Sequence, residues 1–432
     1  MKILIVSYFF PPFNQVGAVR VGKYAKYLRR MGHDVRVLAC EPLPLPSNLQ
    51  VEIESERVER SKWLDVNWPV TMLLGRQRVQ SRGFEMTAGS SGGLPHLLRK
   101  LYRDLIHFPD AQVGWFPYAI QQGRRMCDGW CPDVIYSSAL PVTSLFVAER
   151  LARHLKVPWI AEFRDLWADN HNRDVPGWRK KLERRLEQRL LRHVAGLVTV
   201  SEPLAETLRG HYPDKPVLML PNGFDREDYE QPFAADNLLA SDQLNVLYTG
   251  MLYPGRYDLA TFFSSLARLD TPHCAVHFFG RYINLAAKEA EQAGVAAQVN
   301  CNEPVSYTRS VALQRSADIL LMFLWNDPNQ KGVYTGKLFE YLAARRPILA
   351  IGHKDSAPAR LIVERGAGLV SDDVVEIAAW LKQQWQLKSS TGTIPVLTAD
   401  VARGFGREEQ VEQLCSFIID CIETVQSREE MQ

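Results

Sequence analysis

A lysine and a glutamate lie one turn apart in the stretch of this sequence that is best suited to chemistry, residues 334–351. Thr335 and Gly336 are residues that open helices, and apolar residues follow at helical spacing. A helix N-terminus presents unpaired N–H groups and the positive end of the helix dipole, so it suits a phosphate. Lys337 in the first turn is unfavourable unless an anion is also bound, and Glu340 has oxygens for both hydroxyls of a sugar diol. The alternative interpretation is an ordinary amphipathic helix with solvated charges.

Composition limits the classes of protein to which this stretch can belong. The 432 residues are too many for one core, and 46% hydrophobic with 23% charged residues is typical of a globular protein. A net charge of +2 argues against nucleic acid as a partner, and seven scattered cysteines suit a reducing compartment. No apolar run of about 18 residues is present, so we expect no transmembrane helix and a cytoplasmic protein.

Apolar runs alternate with amphipathic stretches along the chain. Lys2–Tyr8 is a predicted buried strand, Phe9–Gly17 a loop, Ala18–Met31 a helix and Val51–Val58 a third strand. Residues 75–94 are predicted to form a long loop. The pattern predicts the α/β class, with two Rossmann-like doubly wound domains facing each other across a cleft. We expect these domains over residues 1–225 and 244–400, joined by a polar linker over 226–243.

Open α/β sheets bind ligands beyond the carboxyl ends of their strands, and six predicted loops lie at such ends. They are Phe9–Gly17, Arg164–Asn170, Pro221–Asp225 (which contains Asn222), Gly250–Arg256, Gly280–Asn284 and Asn326–Lys337.

Four residues in these loops are candidates for a site. Arg256, just past Gly250, could meet a diphosphate together with Lys337, or be a solvated surface cation. Gly17 lets the backbone approach a ligand closely, or is a plain turn glycine. Asp165 is the best carboxylate at a strand end, either as an acid/base or acceptor-positioning group or as a partner of the preceding arginine that only shapes the loop.

The sequence contains no G-x-G-x-x-G, no P-loop motif and no D-x-D pair that would hold a metal on a diphosphate. We therefore expect neither a metal nor a cofactor. A bound diphosphate would be neutralised by arginine, lysine and helix dipoles.

The helix predicted over residues 178–193 is strongly basic and has interleaved leucines. One interpretation is a surface that lies on anionic lipid, which residues 97–108 would extend. The other is a leucine stripe facing the core with a solvated basic back, in which Glu183 and Glu187 form helical ion pairs.

The chain resembles the retaining nucleotide-sugar glycosyltransferases of family four, which have the two-domain fold called GT-B. The matching stretches are Ser7–Pro12 with Gly17-Ala18, Gly32–Val35, Val198–Ser201, Leu220–Asp225, Tyr248–Arg256, Phe278–Gly280 and Gly336–Ala344 with Pro347. By this resemblance the C-terminal domain holds a nucleotide-sugar donor, the N-terminal domain holds an acceptor, and a helix within residues 401–432 crosses back to the first domain.

The resemblance also implies roles for single residues. Glu340 matches the second acid of the family's Glu-x7-Glu motif, which contacts the nucleotide ribose. Arg256 and Lys337 match diphosphate-binding cations, and Gly17 lies on the loop that closes over the phosphates. We also expect four further residues to contact the donor: Thr335, Gly336, Gly250 and Asn222. Two positions depart from the family pattern: Gly332 replaces the first acid of that motif, and Arg164-Asp165 replaces a more usual histidine.

The resulting hypothesis is a metal-independent, retaining transfer of a sugar from a UDP- or GDP-sugar. The acceptor would be a saccharide or a lipid-linked saccharide in cell-surface polysaccharide synthesis, and the basic helix would allow a peripheral position on the inner face of the plasma membrane. Two alternatives remain: a nucleotide-sugar epimerase of the same fold, and a degenerate paralogue that binds nucleotide-sugar without turnover.

Overall fold

The computed structural model describes residues 1–42, 47–67, 104, 106–170, 173, 175–232, 239–269, 273–325 and 334–430. The chain divides into two units, each with its own sheet. The first comprises Met1–Leu220 with Val411–Gln432, and the second comprises Pro221–Gln410.

The first unit contains a seven-stranded sheet whose strands are all parallel, in the order β3-β2-β1-β4-β5-β6-β7. The strand order reverses between β1 and β4, so their carboxyl ends form the switch point where such sheets bind ligands. The strands are β1 Lys2–Val6, β2 Asp34–Cys40, β3 Val58–Ser61, β4 Val134–Ala139, β5 Trp159–Phe163, β6 Gly196–Thr199 and β7 Val217–Met219. The helices that accompany them are α1 Val16–Arg30, α2 Phe116–Met126, α3 Thr143–Leu155, α4 Gly177–Leu190 and α5 Glu202–His211.

The second unit has a six-stranded parallel sheet in the order β10-β9-β8-β11-β12-β13. Its switch point lies between β8 and β11. The strands are β8 Leu244–Thr249, β9 Cys274–Phe279, β10 Val299–Asn302, β11 Ile319–Phe323, β12 Ile348–Ile351 and β13 Gly368–Ser371. The helices are α6 Arg226–Glu230, α7 Leu259–Ala267, α8 Asn284–Gln292, α9 Tyr307–Ser316, α10 Gly336–Ala344, α11 Ala357–Glu364 and α12 Val374–Thr391.

The last helix, α13 (Arg407–Glu430), belongs mainly to the first unit. From Val411 onward its apolar residues are buried in the core beside β1 and α1. His33 Nε2 lies 3.1 Å from Cys415 Sγ, and a Cβ at Gly196 would stand 2.6 Å from Cys421 Sγ. The close approach of α13 to β6 therefore requires glycine at position 196.

The α/β class and the two doubly wound parallel sheets are confirmed. The buried strands explain the apolar runs, since all five residues of β11 are inaccessible to water. Short 3-10 turns occur at Ser55–Arg57, Val113–Trp115, Leu191–His193, Ala296–Gln298 and Ala399–Ala402. Among the described residues, no helix is both long and apolar enough to cross a bilayer.

Two local predictions were wrong. The third strand is not Val51–Val58 but Val58–Ser61, because Val58 begins the pairing with β2 opposite Val37 while Val51 and Ile53 only pack on the core. Gly17 is not in a loop, because α1 already begins at Val16.

Several predictions fall on other parts of the chain. The loop over 75–94, most of the helix over 97–108 and the position of Gly332 lie outside the described residues. Part of the predicted linker over 226–243 is helical, because α6 forms there and the Asp225 side chain accepts a hydrogen bond from the Glu227 N–H at its start.

Candidate functional site

The helix α10 begins where the sequence predicts it, at the carboxyl end of the second sheet. Thr335 is its N-cap residue, yet the Thr335 side chain makes no capping hydrogen bond. A Cβ at Gly336 would meet no atom within 4 Å, so the first turn opens into free space. The opposite side of α10 is anchored by buried Leu338, Phe339 and Leu342. The Leu338 N–H donates to the Thr335 carbonyl at 3.2 Å, and the positive end of the helix dipole still suits an anion here.

Lys337 projects from this first turn toward the end of β8. Its Nζ donates a hydrogen bond of 2.6 Å to the Tyr248 hydroxyl and lies 4.2 Å from the centre of the Tyr248 ring. Burial lowers the pKa of Lys337 to about 8, although the nearby Glu340 carboxylate opposes this shift. The ammonium group is thus held by a phenol and a ring face, and a bound diphosphate would relieve its poor solvation.

Two glycines create the space that Lys337 occupies. Gly250 follows β8 with φ +124°, and a Cβ there would stand 2.3 Å from Lys337 Cε. Gly280 follows β9 with φ +151°, and a Cβ there would stand 1.8 Å from the Gly250 carbonyl oxygen. Both positions combine a backbone region that favours glycine with a contact that excludes a side chain. Lys337 of the same chain thus fills the space beside Gly250, and a contact of Gly250 with the donor stays a prediction.

Glu340 lies one turn after Lys337 and is partly buried. Its Oε2 accepts a hydrogen bond of 3.4 Å from Gln314 Nε2. Burial raises the pKa of the Glu340 carboxyl, whereas the Gln314 hydrogen bond and the positive charge of Lys337 favour its ionised form. The carboxylate thus keeps some access to a ligand and is held at one oxygen.

Arg256 is exposed on the loop after β8, and its guanidinium lies 4.9 Å above the Trp325 ring. Trp325 follows β11, the strand next to β8, so Arg256 stands at the same switch point of the sheet as Lys337. Among the described residues, no hydrogen bond or shared ring contact joins Arg256 to Lys337. Their joint grip on a diphosphate stays a prediction.

In the first unit, Arg164 rather than Asp165 reaches the predicted phosphate loop. A Cβ at Gly17 would stand 2.0 Å from Arg164 Nη1, so the guanidinium lies directly on the first turn of α1. It is fixed there because Nε and Nη2 donate to the carbonyls of Ala139 and Leu140, at 2.8 and 2.6 Å. Asp165 is exposed to solvent beside it.

Asn222 lies near the start of the second unit. Its carbonyl accepts a hydrogen bond of 3.3 Å from Gln410 Nε2. A Cβ at the next residue, Gly223, would stand 2.3 Å from the Phe405 carbonyl oxygen. A role for the Asn222 side chain in donor binding therefore stays a prediction.

The basic helix α4 does not bury a simple leucine stripe. Its buried side is charged: Arg179, Glu183 and Glu187 are each less than 5% exposed. Arg179 Nε donates to Glu183 Oε1 at 2.9 Å, and the Tyr212 hydroxyl donates to Glu187 Oε1 at 2.9 Å. The prediction of a core-facing leucine stripe holds for the end of the helix, where Leu190 is buried and Leu186 packs against the core, but it was wrong for Trp178 and Leu182, which are exposed. The predicted helical ion pair of Glu183 forms with Arg179, whereas Glu187 is held by the Tyr212 hydroxyl.

The outward side of α4 combines cations with apolar residues. Trp178 is 52% exposed and Leu182 is 40% exposed. At 100° per residue, they share one face with the exposed cations Lys181, Arg185 and Arg189. We call this face, made of those five residues, the α4 surface. It has the composition of a surface that binds anionic lipid.

Sequence reasoning missed Tyr248, Gln314 and Arg164. Tyr248 gives no local signal because it is one aromatic residue in a buried strand, and Gln314 gives none because it is one of several polar residues in its helix. Arg164 had a signal, since it occupies a strand end, but its neighbour Asp165 was favoured instead.

Comparison with known proteins bears on this geometry. Residues 17–223 match the model of the glycosyl transferase 4-like domain. This stretch is a glycosyl transferase 4-like domain. Among curated protein sequences, none matches the chain.

Solved structures resemble almost the whole chain. HepE of Anabaena, in complex with UDP and glucose, is 14% identical, with 97% of this chain and 100% of that chain covered and a TM-score of 0.62. A glycosyltransferase from Rickettsia africae is 12% identical, with 98% of each chain covered and a TM-score of 0.57. Sucrose-phosphate synthase of Thermosynechococcus elongatus is 14% identical, covers 100% of this chain and 99% of its own, and has a TM-score of 0.55.

At these identities the likeness concerns the fold, which is that of GT-B glycosyltransferases. The match to the glycosyl transferase 4-like domain also identifies the family of residues 17–223. The predicted resemblance to family-four-like glycosyltransferases is therefore confirmed, by the family over residues 17–223 and by the fold over almost the whole chain.

Proposed function

We propose that this protein transfers a sugar from a nucleotide-diphosphate sugar to a saccharide or lipid-linked acceptor, with retention of configuration and without a metal. The observation that carries the proposal is the pair Lys337 and Glu340, one turn apart at the open start of α10. A cation with a helix N-terminus suits a diphosphate, and a carboxylate beside it suits a ribose diol. UDP is the first candidate nucleotide, because HepE was solved with UDP, with UDP-glucose, and with UDP and glucose.

In the proposed reaction, the bond between the anomeric carbon and the diphosphate oxygen breaks, and the diphosphate leaves with both electrons. The acceptor hydroxyl oxygen then bonds to the same face of that carbon, and its proton passes to the leaving diphosphate. Lys337, the N–H groups of α10 and Arg256 would neutralise the charge that develops on the diphosphate. This reaction requires no protein nucleophile, and orientation of the two substrates supplies most of the remaining acceleration.

The first unit is the proposed acceptor unit. Asp165 is proposed to position the acceptor hydroxyl, and Gly17 to admit the phosphates to the first turn of α1. The α4 surface is proposed to rest on an anionic membrane, which would give access to a lipid-linked acceptor in cell-surface polysaccharide synthesis. A peripheral position on the inner face of the plasma membrane follows from that proposal.

A thermal-shift experiment tests the donor site. The protein is heated with UDP, GDP, ADP or TDP, each with and without EDTA. We expect one diphosphate to stabilise the wild type in EDTA, by about 2.7 kcal/mol at 100 times its Kd, and to stabilise Glu340→Ala much less. No shift with any of the four, or a shift that EDTA abolishes, would contradict the proposal.

A further inference from the structure

Gln314 is an uncharged polar residue in the interior of the second unit, and it joins three elements around Glu340. It lies on α9 and is 0% exposed. Its Nε2 lies 3.2 Å from the hydroxyl oxygens of Thr249 and Ser310 and 3.4 Å from Glu340 Oε2, so its two N–H groups are shared among three acceptors. Its Oε1 accepts a hydrogen bond of 3.3 Å from the Tyr229 hydroxyl. A single amide thus connects the end of β8, the helix α10 and the helix α6.

The orientation of this amide is fixed by charge. A Gln314 rotated by 180° about its last bond would place a carbonyl oxygen against the Glu340 carboxylate, where two acceptors repel each other. Within the described part of the chain, Gln314 is the side chain that donates a hydrogen bond to Glu340. It also favours ionised Glu340, whose pKa burial otherwise raises.

Glu340 and Gln314 differ in their exposure to solvent. Glu340 keeps part of its surface exposed, whereas Gln314 has none, so a ligand can touch the carboxylate but not the amide. Any effect of Gln314 on a ligand must therefore pass through the groups it holds. Its contact with Thr249, the last residue of β8, also sets the position of the chain just before Gly250.

We propose that Gln314 is a positioning residue for ribose recognition: it holds one oxygen of Glu340 so that the ionised carboxylate faces the ribose diol. The inference rests on the proposed function, because it assumes that a nucleotide binds at α10. The resemblance assigns the ribose contact to Glu340 alone. The inference adds that the buried amide of Gln314 sets the position of the Glu340 carboxylate.

The experiment measures the Kd of UDP and of 2′,3′-dideoxy-UDP by calorimetry, for the wild type and for Gln314→Met. Methionine has nearly the volume of glutamine but donates no hydrogen bond. We expect Gln314→Met to weaken UDP at least fivefold and to leave dideoxy-UDP within twofold of the wild type. Glu340→Ala gives the full effect of losing the diol contact. Ser310→Ala is the matched control, because it removes a neighbour of the same amide without removing the donor to Glu340.

A second variant protects the test against misfolding of the first. Gln314→Glu keeps the shape of the side chain but places a like charge against Glu340, and it should weaken UDP more than Gln314→Met does. Equal losses for UDP and dideoxy-UDP in both variants would mean a general structural role and overturn the inference alone. A wild type that binds none of UDP, GDP, ADP and TDP would overturn the proposed function, and the inference with it. If GDP or ADP binds instead of UDP, the same comparison is made with that nucleotide and its 2′,3′-dideoxy form. Binding of TDP alone would overturn the inference, because TDP has no 2′-hydroxyl and therefore no diol.

Discussion

Lys337 Cε occupies the space that a side chain at Gly250 would fill, 2.3 Å from the position of a Cβ there. The end of β8 and the first turn of α10 can therefore pack this closely only because Gly250 has no Cβ. The ammonium group reaches the Tyr248 hydroxyl only because this passage is open.

The Gly250→Ala variant should displace Lys337 and weaken nucleoside-diphosphate binding at least tenfold, or about 1.4 kcal/mol. The measurement is calorimetric titration with UDP. Gly294→Ala is the matched control, since Gly294 also has a positive φ, of +74°, but a Cβ there meets no atom within 4 Å. Equal losses in the two variants would show that backbone strain, and not the lysine, is responsible.

Removal of the Lys337 ammonium group should lower turnover. We expect Lys337→Ala to reduce kcat/KM by more than tenfold, or about 1.4 kcal/mol, because the leaving diphosphate loses a cation. Sugar transfer or donor hydrolysis under steady-state conditions is the measurement. Lys354→Ala is a suitable control, because Lys354 is an exposed lysine paired with Glu376. Unchanged turnover in Lys337→Ala would remove this residue from the site.

Affinity for the diphosphate should fall as pH rises through about 8. The pKa of Lys337 is lowered to about 8 in the free protein, and a bound dianion favours the protonated form, so binding takes up a proton above this pH. Titration of UDP between about pH 7 and about pH 9.5 would detect the fall, because its own phosphate ionises near pH 6. The slope should disappear in Lys337→Ala. A slope of equal size in that variant would assign the titration to another group.

Glu340→Gln should stabilise the empty protein while weakening its ligand binding. Burial raises the pKa of Glu340, so its ionisation near neutral pH costs folding free energy, and that cost grows as pH rises through the folded pKa. The neutral amide avoids this cost. Thermal unfolding should show a higher Tm for the empty variant at pH 7 than for the wild type, with about 2–4 °C for each kcal/mol gained. A lower Tm would mean that the carboxylate contributes net stability through Gln314 and Lys337.

The α4 surface should bind anionic vesicles. We expect Lys181→Gln with Arg185→Gln to lower partition onto phosphatidylglycerol vesicles by about fivefold for each charge, since each cation contributes about 1 kcal/mol near such a surface. Trp178→Ser with Leu182→Ser should lower it further at high salt, where charge is screened. Sedimentation with vesicles is the measurement. Val363→Ser with Val375→Ser is the control pair, because both valines are more than half exposed in the second unit. Equal partition of the wild type and all variants would show that the α4 surface does not bind the vesicles.

Much of the fold follows from local patterns. The start of α10 was predictable because Thr335, Gly336 and the apolar spacing after them all favour the same helix. The strands of both sheets were predictable where burial on both faces makes them continuously apolar, as in β11.

Other features depend on contacts between distant residues, which local patterns do not contain. The orientation of α4 is one example. Periodicity placed its leucines inward, but Glu183 is bound by Arg173 as well as Arg179, and the Ala168 N–H donates to Glu187. Residues outside the helix, namely Arg173 and Ala168, therefore help to bury its charged side. Arg164 is another example, because only the fold brings its guanidinium onto Gly17.

The second unit is one uninterrupted piece of chain, and its two ends touch: Gln410 Nε2 donates to the Pro221 carbonyl at 3.1 Å. In modular terms it is a segment inserted into the first unit, and hydrogen bonds from Gln410 Nε2 to the carbonyls of Pro221 and Asn222 join its two ends. A fragment of residues 221–410 would retain Lys337, Glu340, Gln314 and both glycines of the switch point. On the proposed function, replacing this segment between Leu220 and Val411 should change the donor specificity while the sheet of the first unit stays the same.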